Sequence, residues 1–331
     1  MKRVILWLLA LVLVAAALVA GFAYSFAHGK LPLPQTPFEF SVDKGSTLRG
    51  LARKLTDAGL LPEPQLFWWL GRVTDQASGI QAGRYRLDAP LTPLELLKKL
   101  NDGDVIPVTI TFVEGITFAD MREQLEKAAD VRVTLKGLSN VDVLKRVGAS
   151  ETHPEGLFFP DSYRFAAGTT DLDLLKKSYQ TMQKKLADAW ASRDPDLPYR
   201  SPYEVLIMAS IIEKETGKAG ERPLIASVFI NRLRVPMRLQ TDPTVIYGMG
   251  EKYGGNIRKR DLTADTPYNT YTRDGLPPTP IAMPGGDSIK AAVKPSQSDR
   301  LYFVARGDGS HYFSRTLDEH NRAVAKYQLG R

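Results

Sequence analysis

The chain contains no cysteine. That removes disulfides, thiol nucleophiles and thiolate metal sites, and suits either the cytosol or an exported compartment in which no disulfide is needed. Histidine is scarce: only His28, His153, His311 and His320 are present. None forms a His-Glu-x-x-His pair, so a zinc protease is disfavoured. No Gly-x-x-x-x-Gly-Lys-Ser/Thr loop offers backbone amides to nucleotide phosphates, and no Gly-x-Ser-x-Gly elbow carries a serine nucleophile. Ser41-Val42-Asp43-Lys44 matches Ser-x-x-Lys, but its Ser-Asp-Asn and Lys-Thr-Gly partners are missing, so it reads as a strand end. A basic motif interleaved with aromatics is also absent. The net charge of +7 therefore points to anionic lipid or an acidic polymer and away from nucleic acid.

What is present begins with an apolar run. Lys2 and Arg3 precede an uncharged stretch from Val4 to Ala27, and about 20 apolar residues suffice to cross a bilayer. The basic pair stays on the cytoplasmic side, which exports everything after Lys30. A signal peptide cut after Ala27 is the rival, but its core would span only about 7–15 residues. Leu31–Pro37 carries three prolines and is predicted to be a stiff stalk. Hydrophobic content of 43% and charged content of 24% are those of an ordinary folded body.

Alternation predicts strands at Phe38–Val42 and Gly83–Leu87, and helical spacing predicts helices from Thr47 to Ala58 and over Pro64–Arg72. The order is strand, helix, helix, strand. Thr92-Pro93-Leu94-Glu95 is a capping box that starts a helix to about Asn101. After a strand over Val105–Val113, Glu114-Gly115-Ile116-Thr117 opens a helix to about Ala129. It repeats the strand, glycine turn and threonine cap of Lys44-Gly45-Ser46-Thr47, either by duplication or as a shared β-turn-α solution. Glu155–Tyr163 reads as an aromatic loop and Asp171–Trp190 as a helix. Ser201-Pro202-Tyr203-Glu204 launches another helix that stops at Gly217, and Arg222–Leu233 follows. Between Pro236 and Gly286 the chain is rich in Gly, Pro, Asn and Tyr, as in a binding loop or lid. A short helix over Ile289–Val293, a hairpin of Leu301–Ala305 with His311–Ser314, and a helix over Leu317–Tyr327 close the chain. The class is α+β.

With metal, thiol and serine chemistries set aside, carboxylates remain. Ala209-Ser210-Ile211-Ile212-Glu213-Lys214-Glu215-Thr216 lies on a largely apolar helix. A carboxylate that loses water there favours its neutral, proton-donating form, as a general acid requires. On a helical wheel Glu213 falls with Leu206 and Ala209. Glu215 lies about 200° away, so the two acids do not share a face. On spacing alone, a solvated Glu-Lys-Glu helix end fits better than a catalytic acid.

Glu204–Thr216, Ala226–Leu233, Met237–Gly248, Tyr268-Asn269-Thr270-Tyr271, Gly275-Leu276-Pro277-Pro278, Pro284-Gly285 and Leu301-Tyr302-Phe303-Val304 closely resemble the endolytic murein transglycosylase family. With the N-terminal anchor and Glu155–Tyr163, the match covers nearly the whole chain. The resemblance implies a single-pass protein of the bacterial inner membrane, with a cytoplasmic N-terminus and a periplasmic catalytic domain. It implies cleavage of nascent peptidoglycan between N-acetylmuramic acid and N-acetylglucosamine, leaving 1,6-anhydro ends, with no metal or cofactor. Its implied partners are glycan strands and the inner membrane, with peptidoglycan synthases as neighbours. Glu213 is implied as the catalytic residue. The implied domains are the anchor at 1–30, the stalk at 31–37, a LysM-like peptidoglycan-binding module at 38–104 and a larger mixed α+β catalytic domain at 105–331.

Ordinary glycosidases use two carboxylates, whereas this reaction needs one. The acid protonates the glycosidic oxygen, then takes the proton of the sugar's own C6 hydroxyl as the anhydro ring closes. Gln240, Thr241, Asp242 and Tyr247 can hydrogen-bond a sugar, although Asp242 before Pro243 fits a turn or cap equally well. Asn269 and Tyr271 can position or stack on a sugar, or simply form the turn. Arg238 can meet a muramyl or peptide carboxylate or be solvated. Glu155 fits a loop ion pair better than a supporting carboxylate. A lysozyme-like hydrolase and a non-catalytic wall-binding scaffold are the rival functions.

Overall fold

The computed structural model describes residues 2–330; Met1, Arg331 and the side chains of residues 2–4, including the basic pair Lys2–Arg3, lie outside it. The chain divides into two compact units. The first holds residues 1–109 with 129–132 and 164–169, and the second holds 110–128, 133–163 and 170–331.

The first unit opens with α1 (Lys2–His28). Its residues Ile5–His28 have a mean hydropathy of 2.8 and none of this stretch's most apolar part is buried. There follow β1 (Phe38–Val42), α2 (Leu48–Asp57), α3 (Pro64–Val73), β2 (Gly83–Leu87) and α4 (Pro93–Asp102). β1 and β2 pair antiparallel, with Phe40 opposite Tyr85 and their rings stacked 5.4 Å apart. Both strands alternate buried and exposed, the signature of a sheet with one wet face. The buried faces meet Leu51 and Leu55 of α2, Phe67 of α3 and Leu96, Leu97 and Leu100 of α4 in one core. Capping is local and legible: the Thr47 hydroxyl accepts from the Gly50 N–H, and Thr92 and Glu95 form a reciprocal box.

The stalk is not free. Leu31 is buried and Leu33 packs against the same core, and the Leu31 N–H donates to the Leu91 carbonyl over 2.8 Å. Three prolines stiffen the segment, but two leucines tie it down.

The chain continues as β3 (Pro107–Thr111), α5 (Phe118–Lys127), α6 (Asn140–Val147) and β4 (Ser162–Ala166), with β3 and β4 paired. The order is again strand, helix, helix, strand. Gly45 and Gly115 both turn with positive φ, 87° and 81°, where a Cβ is penalised; Thr47 and Thr117 both cap the helix that follows. α6 was not expected, although Ser139 caps it and Gly148 ends it left-handed. β4 begins where the aromatic loop was expected to run on.

The rest of the second unit is α7 (Asp171–Ala191), α8 (Pro202–Glu215), α9 (Arg222–Arg234), α10 (Asp242–Met249), α11 (Lys259–Thr263), α12 (Gly286–Val293), the antiparallel pair β5 (Tyr302–Ala305) and β6 (His311–Ser314), and α13 (Leu317–Tyr327). The predicted long loop thus contains α10 and α11. Asp242 before Pro243 is neither turn nor cap: Thr241 is the N-cap of α10 and Pro243 sits in its first turn, where its missing N–H costs nothing. Ser201 caps α8 through the Glu204 N–H, but the Glu204 carboxylate bonds Arg200 instead of closing the box.

Gly71 shows how tightly the first core is filled. A Cβ there would lie 2.2 Å from Leu48 Cδ2. Alanine's better helix propensity favours Gly71→Ala by about 1 kcal/mol, whereas overpacking costs about 1–3 kcal/mol. Chemical denaturation is expected to show net destabilisation; a stabilised variant would mean that Leu48 swings aside freely.

Candidate active site

Val205 through Ile212 are all buried in α8. A helix apolar on every side is a core helix, and α7, α9, α10 and α12 pack around this one. The last turn therefore emerges from the core and delivers Glu213 and Glu215 to different surroundings.

Glu213 does not sit among apolar groups. Arg222 Nη2 donates to its Oε1 at 3.2 Å, and the Gly285 N–H donates to its Oε2 at 2.9 Å. Its side chain is 6% exposed and that of Arg222 is 9% exposed. The same guanidinium approaches Glu114 at 3.8 Å and Asp287 at 3.6 Å. Burial, with the Glu213 charge nearby, pushes the Glu114 carboxyl up. A Cβ on Gly285 would fall 1.7 Å from Glu114 Oε1, so only glycine lets these groups meet. The expectation of an apolar setting fails because α9, the 283–287 segment and the turn after β3 bring charge to this side of α8.

Glu215 faces the other way. Its carboxylate accepts from the Thr241 hydroxyl. Burial pushes its carboxyl up to about 7, against the pull of the Thr241 hydrogen bond and with a further push from Asp242. It lines a cavity of about 560 Å³ together with Arg232, Gln240, Thr241, Asp242, Tyr271 and His311. A sugar-sized site with a few convergent polar groups and a perturbed acid is the usual form of a binding cleft.

Loop geometry builds the far wall. Gln240 adopts φ 50°, a strained backbone for a side chain with a Cβ, and its N–H donates to the Thr270 carbonyl. The Tyr271 hydroxyl donates to Asp242 Oδ1 at 2.6 Å. Arg232 is spent on structure: Nε donates to the Leu301 carbonyl and Nη1 to the Leu239 carbonyl, both at 2.7 Å. His311 is held by Glu221 through its N–H and through Nδ1 at 2.7 Å.

Four of the predicted binding residues, Gln240, Thr241, Asp242 and Tyr271, thus share the cavity with Glu215. The others do not line it. Asn269 is buried, with Nδ2 on three carbonyls and Oδ1 on the Tyr271 N–H, so it staples the loop. Arg238 binds Asp274 and the Tyr271 carbonyl. Glu155 is 4% exposed and accepts from the Phe118 N–H and the Tyr247 hydroxyl; burial lifts its carboxyl to about 7. It is a hydrogen-bonded pin for α5 and α10 in place of the expected ion pair. Glu114, Arg222, Asp287, Arg232 and His311 escape a sequence reading because their partners lie on other elements of the fold. Glu215 was visible but set aside, because a helical wheel counts only a helix's own residues and its cover comes from 239–242 and the β5–β6 hairpin.

An acid with a raised pKa beside a polar, tyrosine-bearing cleft on a mixed α+β scaffold is suited to general acid–base chemistry on a polar ligand. The YceG-like family model matches residues 40–326, and the chain belongs to that family. It is 32% identical to an endolytic murein transglycosylase of Bacillus subtilis, over 92% of this chain and 90% of the relative. It is 29% identical to one of Streptococcus pneumoniae, over 98% of this chain and 65% of that longer relative. The crystal structure of a YceG-like protein from Listeria monocytogenes superposes with a TM-score of 0.53 at 30% identity, covering 87% of this chain and 100% of that one.

A raised carboxyl adds stability below its unfolded pKa and loses it as pH climbs through the folded one. For Glu215 that window runs from the ordinary 4.5 to about 7, a difference of up to about 3 kcal/mol by linkage. Glu215→Gln is expected to gain on the wild type between pH 5 and pH 8 in denaturant titrations. A difference that ignores pH would show that the carboxyl is not raised.

Proposed function

We propose that the protein is an endolytic murein transglycosylase whose acid is Glu215. The observation that carries the assignment is a buried carboxyl, lifted to about 7, in the wall of a cavity that also holds Gln240, Asp242 and Tyr271. A group with its pKa near ambient pH can both give and take a proton. Glu215 protonates the glycosidic oxygen, and the bond from the N-acetylmuramic acid C1 to that oxygen breaks. The C6 hydroxyl oxygen of the same sugar bonds to C1 and yields its proton to the Glu215 carboxylate. Bonds and protons balance without water, metal or cofactor.

The role passes from Glu213 to Glu215 for a physical reason. Both Glu213 oxygens accept from protein donors, and Glu213 does not line the cavity that holds the sugar-binding candidates. Its part is to hold the last turn of α8 against α9. Hydrolysis of the lysozyme type has one foothold, since Asp242 is a second carboxylate in the same cavity; each cut would then add one water, carried by the product that ends in N-acetylmuramic acid.

The β1–α2–α3–β2 order supports a LysM-like reading of the first unit. A cavity of about 590 Å³ there is lined by Ser46, Thr47, Arg49, Trp68, Arg72 and Ser78, and the guanidinium groups of Arg49 and Arg72 lie over the Trp68 ring at 5.0 and 5.5 Å. The half-buried Trp68 ring and the polar rim support a glycan strand as its ligand. α1 anchors the protein in the inner membrane, with its basic end cytoplasmic and everything beyond it periplasmic.

Incubation with glycan strands and mass analysis of the products tests the acid. Glu215→Gln, checked for folding by circular dichroism, is expected to lower the release of 1,6-anhydro products about 10²–10⁴-fold, with Glu213→Gln retaining more activity. The reverse order would return the acid to Glu213, and products heavier by one water would establish hydrolysis.

A further inference from the structure

The first unit begins inside its own membrane helix. Ala27 is buried, and Phe26 packs on the core that Leu31, Phe38 and Phe67 share. α1 packs against α3 and α4. The apolar stretch Ile5–His28 measures about 36 Å at 1.5 Å per residue, against about 30 Å of hydrocarbon and about 5–7 Å of headgroups on each side. Its exit end carries Tyr24, 67% exposed, stacked on His28, as aromatics at a bilayer boundary are. The folded core therefore starts within headgroup depth.

α3 touches this end and presents a face that nothing in the unit covers. Trp69 is 57% exposed and Val73 is 80% exposed; they stand one turn apart on one face. Arg72 is the helix's only charge and is exposed. An apolar stripe with tryptophan and a long cation beside it is the composition of a helix lying in a membrane surface. A glycan-binding face is expected to carry more hydrogen-bonding groups, and at 80% Val73 is the most exposed of the protein's large apolar side chains among the described residues.

We propose that the Trp69–Val73 stripe of α3 is seated in the headgroup layer of the same bilayer that α1 crosses, so that the first unit is held to the membrane at two points. The proposal rests on the reading of α1 as an anchor. The partner is the lipid surface, and the contact sets the unit's tilt.

The absence of native cysteine permits a direct test. Full-length Trp69→Cys, Val73→Cys and Leu13→Cys, each carrying an environment-sensitive fluorophore, are reconstituted into phosphatidylethanolamine–phosphatidylglycerol vesicles with and without doxyl lipid. Labels at 69 and 73 are expected to be quenched about twofold or more by the doxyl lipid and shielded from aqueous iodide. If the Leu13 label is quenched while those at 69 and 73 remain open to iodide, α1 is an anchor and the inference is wrong. If Leu13 escapes quenching too, the anchor reading itself falls. Labels at 69 and 73 that respond to soluble glycan fragments and not to lipid would assign the stripe to the cell wall and overturn the proposal.

Discussion

Everything at the candidate site depends on the burial of α8 from every side. A helix sunk in a core has no solvent face on which to carry polar chemistry, so its only reactive side chains are those of the turn that leaves the core. Two carboxylates two residues apart then necessarily point in nearly opposite directions. The surroundings packed on each side decide what each becomes: one meets a guanidinium and a backbone amide, the other a hydroxyl and a cavity.

The two settings are built from different parts of the chain. Around Glu213, charge is balanced by a cluster in which Arg222 serves Glu213, Glu114 and Asp287, and in which Gly285 admits the Glu114 side chain without a clash. Around Glu215, a loop strained at Gln240 and stapled by the buried Asn269 carries Thr241 and Asp242 to the cavity, while the hairpin contributes His311. The staple and the cluster are polar structures that form only when the chain is folded. Both turn long-range topology into local electrostatics.

Much of the fold was legible because its determinants are local. Threonines 47, 92 and 117 announce helices by reaching only three residues ahead, and the alternation of Phe38–Val42 and Gly83–Leu87 shows which face of each strand is wet. The repeated strand–helix–helix–strand order was half visible, since the second copy's α6 is short and its returning strand follows a long aromatic loop. The site was less legible for a different reason. Gln240, Thr241 and Asp242 could be picked together with Tyr247, and Tyr271 together with Asn269, because they crowd turn-forming segments; that Tyr247 and Asn269 do not line the cavity could not be read there. The ranking of Glu213 over Glu215 could not be settled by a helix's own periodicity. It depends on what lies across from each acid: Gly285 is 72 residues from Glu213 along the chain, and His311 is farther still from Glu215.

The shared core of α1 and the first unit has a mechanical meaning. A domain on a floppy tether lets tension on its ligand stretch the tether first and reach the membrane late. Here Phe26 and Ala27 end α1 and, with Leu31 just beyond it, already belong to the core of the fold, so little slack lies between helix and unit. A force on this unit would pass straight into α1 as a bending moment. α1 then acts on the unit as a mast does and not as a tether, because the last turn of the helix is already part of the folded core.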